Sequence, residues 1–138
     1  MTTPLKHEHL LVTAYVKNPP TGSSDDAKER LSKWLEMIID DIGMKLLSGP
    51  HVEYVDVPGN RGLTAVCIIE TSHIAIHIWD EPSPALIQMD VYSCSTLDPN
   101  IVLEHLNVFD PVCVFAKFLD REKGFVELRE DFEHKEEK

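Results

Sequence analysis

The stretch Glu70-Thr-Ser-His-Ile-Ala-Ile-His-Ile-Trp-Asp-Glu81, in the middle of a chain of 138 residues, decides how the chain folds. Isoleucine recurs at every second position from residue 74 to residue 78, which is typical of a strand with one apolar face. The residues between the isoleucines, and His73 and His77 with them, then point to the opposite face. We therefore predict a β-strand that carries chemically capable side chains on one side.

The period of two also decides how the two histidines can be used. On a helix, His73 and His77 would lie one turn apart on the same face and could bind one metal ion. On a strand, the same spacing separates them by roughly 13 Å, at about 3.3 Å per residue. One ion cannot bridge that distance, so we predict no metal site.

Periodicity and cap residues predict the other elements. Thr64 to Ile69 is a nearly unbroken apolar run, which indicates a central strand covered on both faces. Downstream of Glu81, two prolines mark a turn into a strand that ends at Cys94. The remaining predicted elements are a strand over 10–16, a helix from about Asp25 to Ile42, one or two short strands within 44–57 interrupted at Ser48-Gly49-Pro50, a helix from Asp98 to about Val108, and a strand over 112–118.

The order of these elements predicts the fold class. It runs β, α, β, β, β, β, α, β, which favours an α+β two-layer sandwich: an antiparallel sheet with two helices on one face. A chain of this length forms one domain, residues 1–138. The residues after Gly124 are highly charged, and we predict a flexible charged tail over 125–138.

Composition narrows the range of functions. The net charge of −11 disfavours nucleic acid as a partner, although it suits a cationic substrate. Neither a membrane-spanning run nor a signal peptide is evident, so we expect a cytoplasmic protein. Three cysteines in such a chain argue against disulfides. Cys67 and Cys113 lie in apolar runs and are predicted to be buried, whereas Cys94 ends a strand among polar residues and is the candidate for chemistry.

The segment from residue 70 to residue 94 resembles the prokaryotic-type S-adenosylmethionine decarboxylases, proenzymes that make their own pyruvoyl cofactor. In that family, Glu-Ser-His opens a strand that closes with Ile-His-Thr-Trp-Pro-Glu, and Asp-Val-Phe-Thr-Cys-Gly follows after a hairpin. The matching residues here are Ser72, His73, Ile76, His77, Trp79, Glu81, Asp90, Val91 and Cys94. Thr71 departs from the family pattern, which has glutamate before the serine. The resemblance extends more loosely over about residues 7–124.

This resemblance implies self-cleavage between Thr71 and Ser72. In the family, the serine hydroxyl attacks the preceding carbonyl, and the chain breaks to leave a pyruvoyl group at the new amino terminus. The products here would be fragments 1–71 and 72–138, with the pyruvoyl group derived from Ser72. In the family this ketone forms a Schiff base and acts as the electron sink for decarboxylation of S-adenosylmethionine in polyamine (spermidine) biosynthesis.

The resemblance also implies a role for each of four further residues. His77 would handle protons during processing, and Thr64 would supply a hydroxyl that assists it. Cys94 would be the general acid that protonates the decarboxylated carbon. Glu81 would bind the ribose hydroxyls of the substrate, since a carboxylate accepts two hydrogen bonds.

Strand parity adds an expectation about assembly. Ser72 and His77 are five residues apart, so in one regular strand their side chains leave opposite faces. In a two-fold dimer, His77, Thr64 and Glu81 of one subunit would complete the site around Ser72 and Cys94 of the other. The family is built as such dimers.

Other classes of function stay open at this point. The chain could be an unprocessed, inactive relative that acts as a binding or regulatory subunit. It could also be a pyruvoyl decarboxylase for another amino acid, such as arginine or ornithine. A hydrolase that uses Cys94 and His77 is a weaker alternative, because neither an oxyanion loop nor a third catalytic partner is evident.

Overall fold

The structure is a computed structural model that describes residues 5–134. These residues form seven β-strands, two α-helices and one 3-10 turn. In chain order they are β1 (Glu8–Val16), α1 (Asp25–Asp41), β2 (Leu46–Val55), β3 (Gly62–Ile69), β4 (Ser72–Trp79), β5 (Ala85–Ser93), α2 (Pro99–His105), the 3-10 turn (Leu106–Phe109), β6 (Pro111–Asp120) and β7 (Val126–His134).

All seven strands belong to one sheet, in the order β2-β3-β4-β5-β1-β6-β7, and every neighbouring pair is antiparallel. Helix α1 contacts β2, β3 and α2. The α+β class with an antiparallel sheet and two helices is therefore confirmed. β1 lies between β5 and β6, which places the N-terminal strand in the middle of the sheet.

Helix α1 follows from its capping residues and its apolar stripe. The Ser24 hydroxyl accepts a hydrogen bond from the backbone N–H of Ala27, and Asp25 and Asp26 place negative charge at the positive end of the helix dipole. The residues that the helix buries against the sheet recur at helical spacing. They are Leu31, Trp34, Leu35, Ile38 and Ile39.

The core lies on one side of the sheet only. On β4, Ile74, Ile76 and Ile78 are at most 2% exposed, and they face the helices. On β3, Val66 and Ile68 point the other way and are 41% and 48% exposed. The expectation that β3 is covered on both faces is thus wrong for this chain by itself, because both helices lie on the same side. We call the helix-free side of the sheet the open face.

Three other expectations need correction. Residues 126–134 of the predicted tail form β7, which pairs with β6 over its length, while residues 135–138 lie outside the described part. The segment around Ser48-Gly49-Pro50 does not interrupt β2, because two register shifts against β3 absorb it within one strand. Cys67 is buried as predicted, but Cys113 is only half-buried.

Within residues 5–134, neither helix has the length and apolar character needed to span a membrane.

Gly62, at the start of β3, is the glycine with the least space around it. A Cβ there would lie 1.6 Å from the carbonyl oxygen of Ile78, and its φ of +152° is unfavourable for other residues. Gly43 also has a positive φ, of +75°, but a Cβ there would meet no atom within 4 Å.

Gly62→Ala should lower the free energy of unfolding by about 3 kcal/mol or more, because backbone must move to admit the methyl group. Gly43→Ala should cost only about 1 kcal/mol, the cost of the backbone conformation alone. Urea unfolding of both variants measures the difference. Equal losses would contradict the close approach at Gly62.

Candidate active site

The hairpin between β3 and β4 carries the predicted cleavage site on an unusual backbone. Ile69 pairs with Ser72, so Glu70 and Thr71 form a two-residue turn. Ser72 has a φ of 141°, a region that residues with a side chain rarely adopt. Such a conformation costs about 1–3 kcal/mol and persists only where the surrounding structure holds it. The peptide bond between Thr71 and Ser72 is therefore next to the strained residue.

The end of β5 reaches the same peptide bond. Ser93 pairs with Ser72 across β5 and β4, and the next residue, Cys94, donates its backbone N–H to the carbonyl oxygen of Thr71 at 2.7 Å. This is the carbonyl that a serine attack would convert into an oxyanion. The structure thus brings Thr71, Ser72 and Cys94 together at one end of the sheet, with each of these residues half-buried.

A second group of predicted residues lies further along the same strands. Thr64 and His77 pair across β3 and β4, and the Thr64 hydroxyl is 3.2 Å from Nδ1 of His77. Both side chains are on the open face, where the His77 ring is 5.9 Å from the ring of Trp79. Thr64 and His77, both of which the resemblance links to processing, are therefore in contact within one chain.

Glu81 has a structural partner that the sequence did not reveal. Its Oε1 accepts hydrogen bonds from the backbone N–H groups of Gly59 and Arg61, at 2.8 and 3.1 Å, and its Oε2 is 3.6 Å from the Arg61 guanidinium. The carboxylate thus holds the loop between β2 and β3. Glu81 lies beyond the end of β4 opposite to Ser72.

The predicted residues therefore form two separate groups. Five residues of strand separate Ser72 from His77, which corresponds to roughly 16 Å at about 3.3 Å per residue. Strand parity does not show whether His77 can accept the Ser72 proton within one chain, because Ser72 departs from regular strand geometry. The distance excludes it, since no proton passes directly over such a separation. Among residues 5–134, no side chain makes a hydrogen bond to the Ser72 hydroxyl.

A cavity of about 450 Å³ on the open face belongs to the second group. Its lining includes His77, Gln88, Asp90, Phe115 and Lys117. The volume falls in the range of small-molecule sites. Ser72 and Cys94 lie outside the lining of this cavity.

A third cluster was missed by the sequence analysis. His9 of β1 and His73 of β4 each contact Oδ2 of Asp90 on β5 through Nε2, at 2.8 and 2.9 Å. The three ligand-type atoms lie within 4.8 Å of one another, a grouping that could hold a metal ion. Only Asp90 and His73 stand in the segment that resembles the decarboxylases, and β1 is distant in sequence.

Arg121 decides how this cluster is used. Its guanidinium lies 3.2 Å from Nδ1 of His9 and stacks over the ring of Tyr92. A guanidinium only donates, so Nδ1 of His9 accepts and the imidazole proton is on Nε2, which donates to Asp90. Metal binding at Nε2 of His9 would require its proton to move to Nδ1, where it would face the Arg121 guanidinium. The cluster is therefore a hydrogen-bonded network that joins β1, β4, β5 and the loop after β6.

Two side chains have pKa values that their surroundings shift. Burial by itself would raise the pKa of Asp90, but the hydrogen bonds from His9 and His73 outweigh it and hold the pKa below the ordinary 3.8. Burial raises the pKa of the Cys67 thiol to about 11, so this cysteine stays protonated and inert at neutral pH.

Comparison with known proteins agrees with the fold. The chain is an α+β protein with one sheet, in which Ser72 lies on a strained hairpin and the backbone N–H of Cys94 is hydrogen-bonded to the preceding carbonyl. The family model for S-adenosylmethionine decarboxylase matches residues 9–136. The chain belongs to the S-adenosylmethionine decarboxylase family.

Individual relatives match over shorter segments. An S-adenosylmethionine decarboxylase proenzyme of Bacillus velezensis is 41% identical over 46 residues, which are 33% of this chain and 35% of that protein. A protein of the same name from Methanococcus maripaludis is 36% identical over 63 residues, 46% of this chain and 43% of that protein. The matched segments thus span less than half of these relatives.

The match to a solved structure covers nearly the whole chain. The adenosylmethionine decarboxylase of Aquifex aeolicus aligns with a TM-score of 0.61 and 23% identity, over 94% of this chain and 99% of that one. At this identity the likeness establishes the fold alone.

Asp90→Asn should lower the free energy of unfolding at pH 7 by about 1–3 kcal/mol, because two hydrogen bonds lose their charged acceptor. The folded-state pKa of Asp90 is depressed, so its contribution is complete above the ordinary carboxyl pKa and is lost as pH falls through the folded value. The gap between variant and wild type should therefore shrink below about pH 4. Urea unfolding from pH 7 to pH 3 measures it, with the exposed Glu122→Gln as control. A gap of constant size would contradict the network.

Proposed function

We propose that this protein is a self-cleaving proenzyme that decarboxylates S-adenosyl-L-methionine by means of a pyruvoyl group made from Ser72. The product would be decarboxylated S-adenosylmethionine, the aminopropyl donor for spermidine synthesis. Membership of the decarboxylase family supports the reaction class. The net charge of −11 suits a cationic sulfonium substrate. We place the protein in the cytoplasm, where unpaired thiols such as the three described cysteines are stable.

One observation carries the proposal of self-cleavage. The carbonyl of Thr71 already accepts the Cys94 N–H at 2.7 Å, and the next residue, Ser72, has a φ of 141°. A backbone donor on this oxygen stabilises the negative charge that forms there when a nucleophile attacks. Strain in the attacking residue is released when the peptide bond rearranges. Both features concern the one bond that the family resemblance marks.

The cleavage follows from these atoms in two steps. Oγ of Ser72 bonds to the carbonyl carbon of Thr71 and the C–N bond breaks, so the amide becomes an ester and the nitrogen takes up a proton. Elimination then removes the Ser72 α-proton and breaks the Cβ–Oγ bond, which leaves Thr71 with a free carboxylate. Water then hydrolyses the resulting enamine and releases its nitrogen as ammonia, and a pyruvoyl group remains on residue 72.

We expect the proton acceptor for Ser72 to come from a second copy of the chain. His77 of the same chain lies roughly 16 Å away along β4. The open face carries exposed apolar side chains that a second copy would bury, among them Leu11, Tyr15 and Phe115, each about 40% exposed. A two-fold dimer through this face would set His77 and Thr64 of one subunit beside Ser72 of the other. It would also close the cavity next to His77.

The cleaved protein would use its other residues for decarboxylation. A pyruvoyl group supplies a ketone that binds the substrate amine and withdraws electrons from the carbon that loses carbon dioxide. The residues fit such a group, because Ser72 sits at the end of β4 with the half-buried Cys94 beside it. Cys94 would return a proton to that carbon as general acid. Glu81, with one carboxylate oxygen facing Arg61, would bind the ribose hydroxyls across the dimer.

Purified wild-type protein should give two chains in denaturing mass spectrometry, residues 1–71 and 72–138. Ser72→Ala should remain one chain, because the nucleophile is missing. Cys94→Ala should still be cleaved, since only its backbone N–H takes part in cleavage, but its release of carbon dioxide from carboxyl-labelled S-adenosylmethionine should fall at least ~100-fold. Cleavage of the Ser72→Ala protein would overturn the assignment of the serine. Release from labelled arginine or ornithine instead would overturn the substrate.

A mixing experiment tests whether the site is shared. His77→Ala chains alone should cleave at least ~100-fold more slowly than wild type, because the proton acceptor is lost. When His77→Ala chains are co-expressed with Ser72→Ala chains, mixed dimers have one complete site, so the His77→Ala chains should be cleaved. Different affinity tags identify which chain is cut. If neither chain is cleaved in mixed dimers that form normally, the two residues act within one subunit.

A further inference from the structure

Met44 lies against the residue that precedes the predicted cleavage site. It stands between α1 and β2 and is half-buried. The Thr71 hydroxyl donates a hydrogen bond to the Met44 sulfur at 2.9 Å. The hydroxyl of the fully buried Ser93 lies 3.8 Å from the same sulfur, but it donates to the Ser95 carbonyl oxygen at 3.0 Å. A thioether is a weak acceptor, so a threonine hydroxyl directed at a methionine sulfur at this distance is unusual.

The residue next to Met44 holds the other half of the turn. Lys45 accepts the backbone N–H of Glu70 on its carbonyl oxygen at 2.9 Å. The turn is thus fixed at three points: the N–H of Glu70, the hydroxyl of Thr71 and the carbonyl of Thr71, which is bound by Cys94. The strained Ser72 follows immediately. Strain of this kind persists only where neighbouring contacts over-determine the backbone.

We propose that Met44 and Thr71 are positioning residues for self-cleavage, an inference that rests on the proposed function. Through the hydroxyl–sulfur contact, Met44 holds the Thr71 side chain so that the Thr71 carbonyl stays on the Cys94 N–H while Ser72 keeps its strained conformation. Neither Met44 nor Thr71 touches the reacting atoms through its side chain. They act by fixing the geometry of the bond that Ser72 attacks, and displacement of a reacting group by about 1 Å is worth about 100-fold in rate.

This assignment gives a role to Thr71, a position at which the sequence departs from the pattern it resembles. A glutamate carries an acceptor-only carboxylate at neutral pH and cannot donate to a sulfur. Threonine has a donor and a β-branched side chain with restricted χ1, which suits a fixed contact. The pair Thr71 and Met44 is therefore a local solution in this chain for holding the turn.

The first test compares cleavage rates of isosteric variants. Thr71→Val removes the hydroxyl and keeps the shape, and Met44→Leu removes the sulfur and keeps the bulk. Each should slow formation of fragments 1–71 and 72–138 by ~10-fold or more, with the melting temperature unchanged. Thr71→Ser keeps the hydroxyl and should retain most of the wild-type cleavage rate. The matched controls are the exposed Thr21→Val and Met37→Leu, which should cleave like the wild type.

The double variant separates a joint action from two independent ones. If the contact is what matters, Thr71→Val with Met44→Leu should be no slower than the slower single variant. Multiplied effects would show that each side chain acts by itself and would overturn the proposal. A wild-type rate for Thr71→Val would overturn it as well, and so would a loss of rate that tracks a lower melting temperature.

A second measurement examines the contact without cleavage. In the Ser72→Ala chain, amide hydrogen exchange of Glu70 and Cys94 reports their hydrogen bonds to Lys45 and Thr71. Adding Thr71→Val or Met44→Leu should speed both exchange rates by ~10-fold, while amides of β1 stay unchanged. Unchanged rates at Glu70 and Cys94 would refute the positioning role even if the wild type cleaves. If the wild type does not cleave but these rates rise, the proposed function fails and the role in holding the turn stands.

Discussion

The pairing register of β4 against β5 is the constraint on which the site depends. Ser72 lies opposite Ser93, so the residue after Ser93 meets the peptide before Ser72, and the N–H of Cys94 reaches the carbonyl of Thr71. A slip of one residue would turn every side chain of β4 to the other face. The apolar residues Ile74, Ile76 and Ile78 would then leave the core. Burial of three isoleucines under the helices thus fixes the position of the contact between Cys94 and Thr71 at the strand end.

The parts of the fold that could be predicted are those in which burial imposes a period. α1 was predicted nearly to the residue because its apolar stripe and its cap at Ser24 both leave a trace in the sequence. β4 was predicted because its buried isoleucines recur at every second position. The site residues came from a motif, and two of their groupings follow from antiparallel pairing: Thr64 with His77, and Cys94 with Thr71. That the two groups lie apart could be recognised only from the register of the whole sheet.

The failures have physical reasons of the same kind. β7 pairs with β6 alone and is exposed along most of its length, so no burial imposes a period on its sequence. The exposure of β3 on the open face could not be foreseen, because an apolar run does not tell which partner covers it. The cluster of His9, His73 and Asp90 joins three strands, and each member is ordinary in its own segment. Arg121, which sets the proton position in that cluster, lies in a loop without a motif.

β7 is an edge strand of the sheet, and this position affects the tendency of the protein to aggregate. Its outer edge offers backbone donors and acceptors to any extended chain, and its exposed Leu128 and Phe132 would favour such growth into fibrils. The same strand carries an acidic series, of which Glu127 and Glu130 lie near Lys117 of β6. Two copies that approached edge to edge would bring these series together, and their repulsion would oppose stacking. The charge that hid this strand in the sequence thus disfavours edge-to-edge association of two copies.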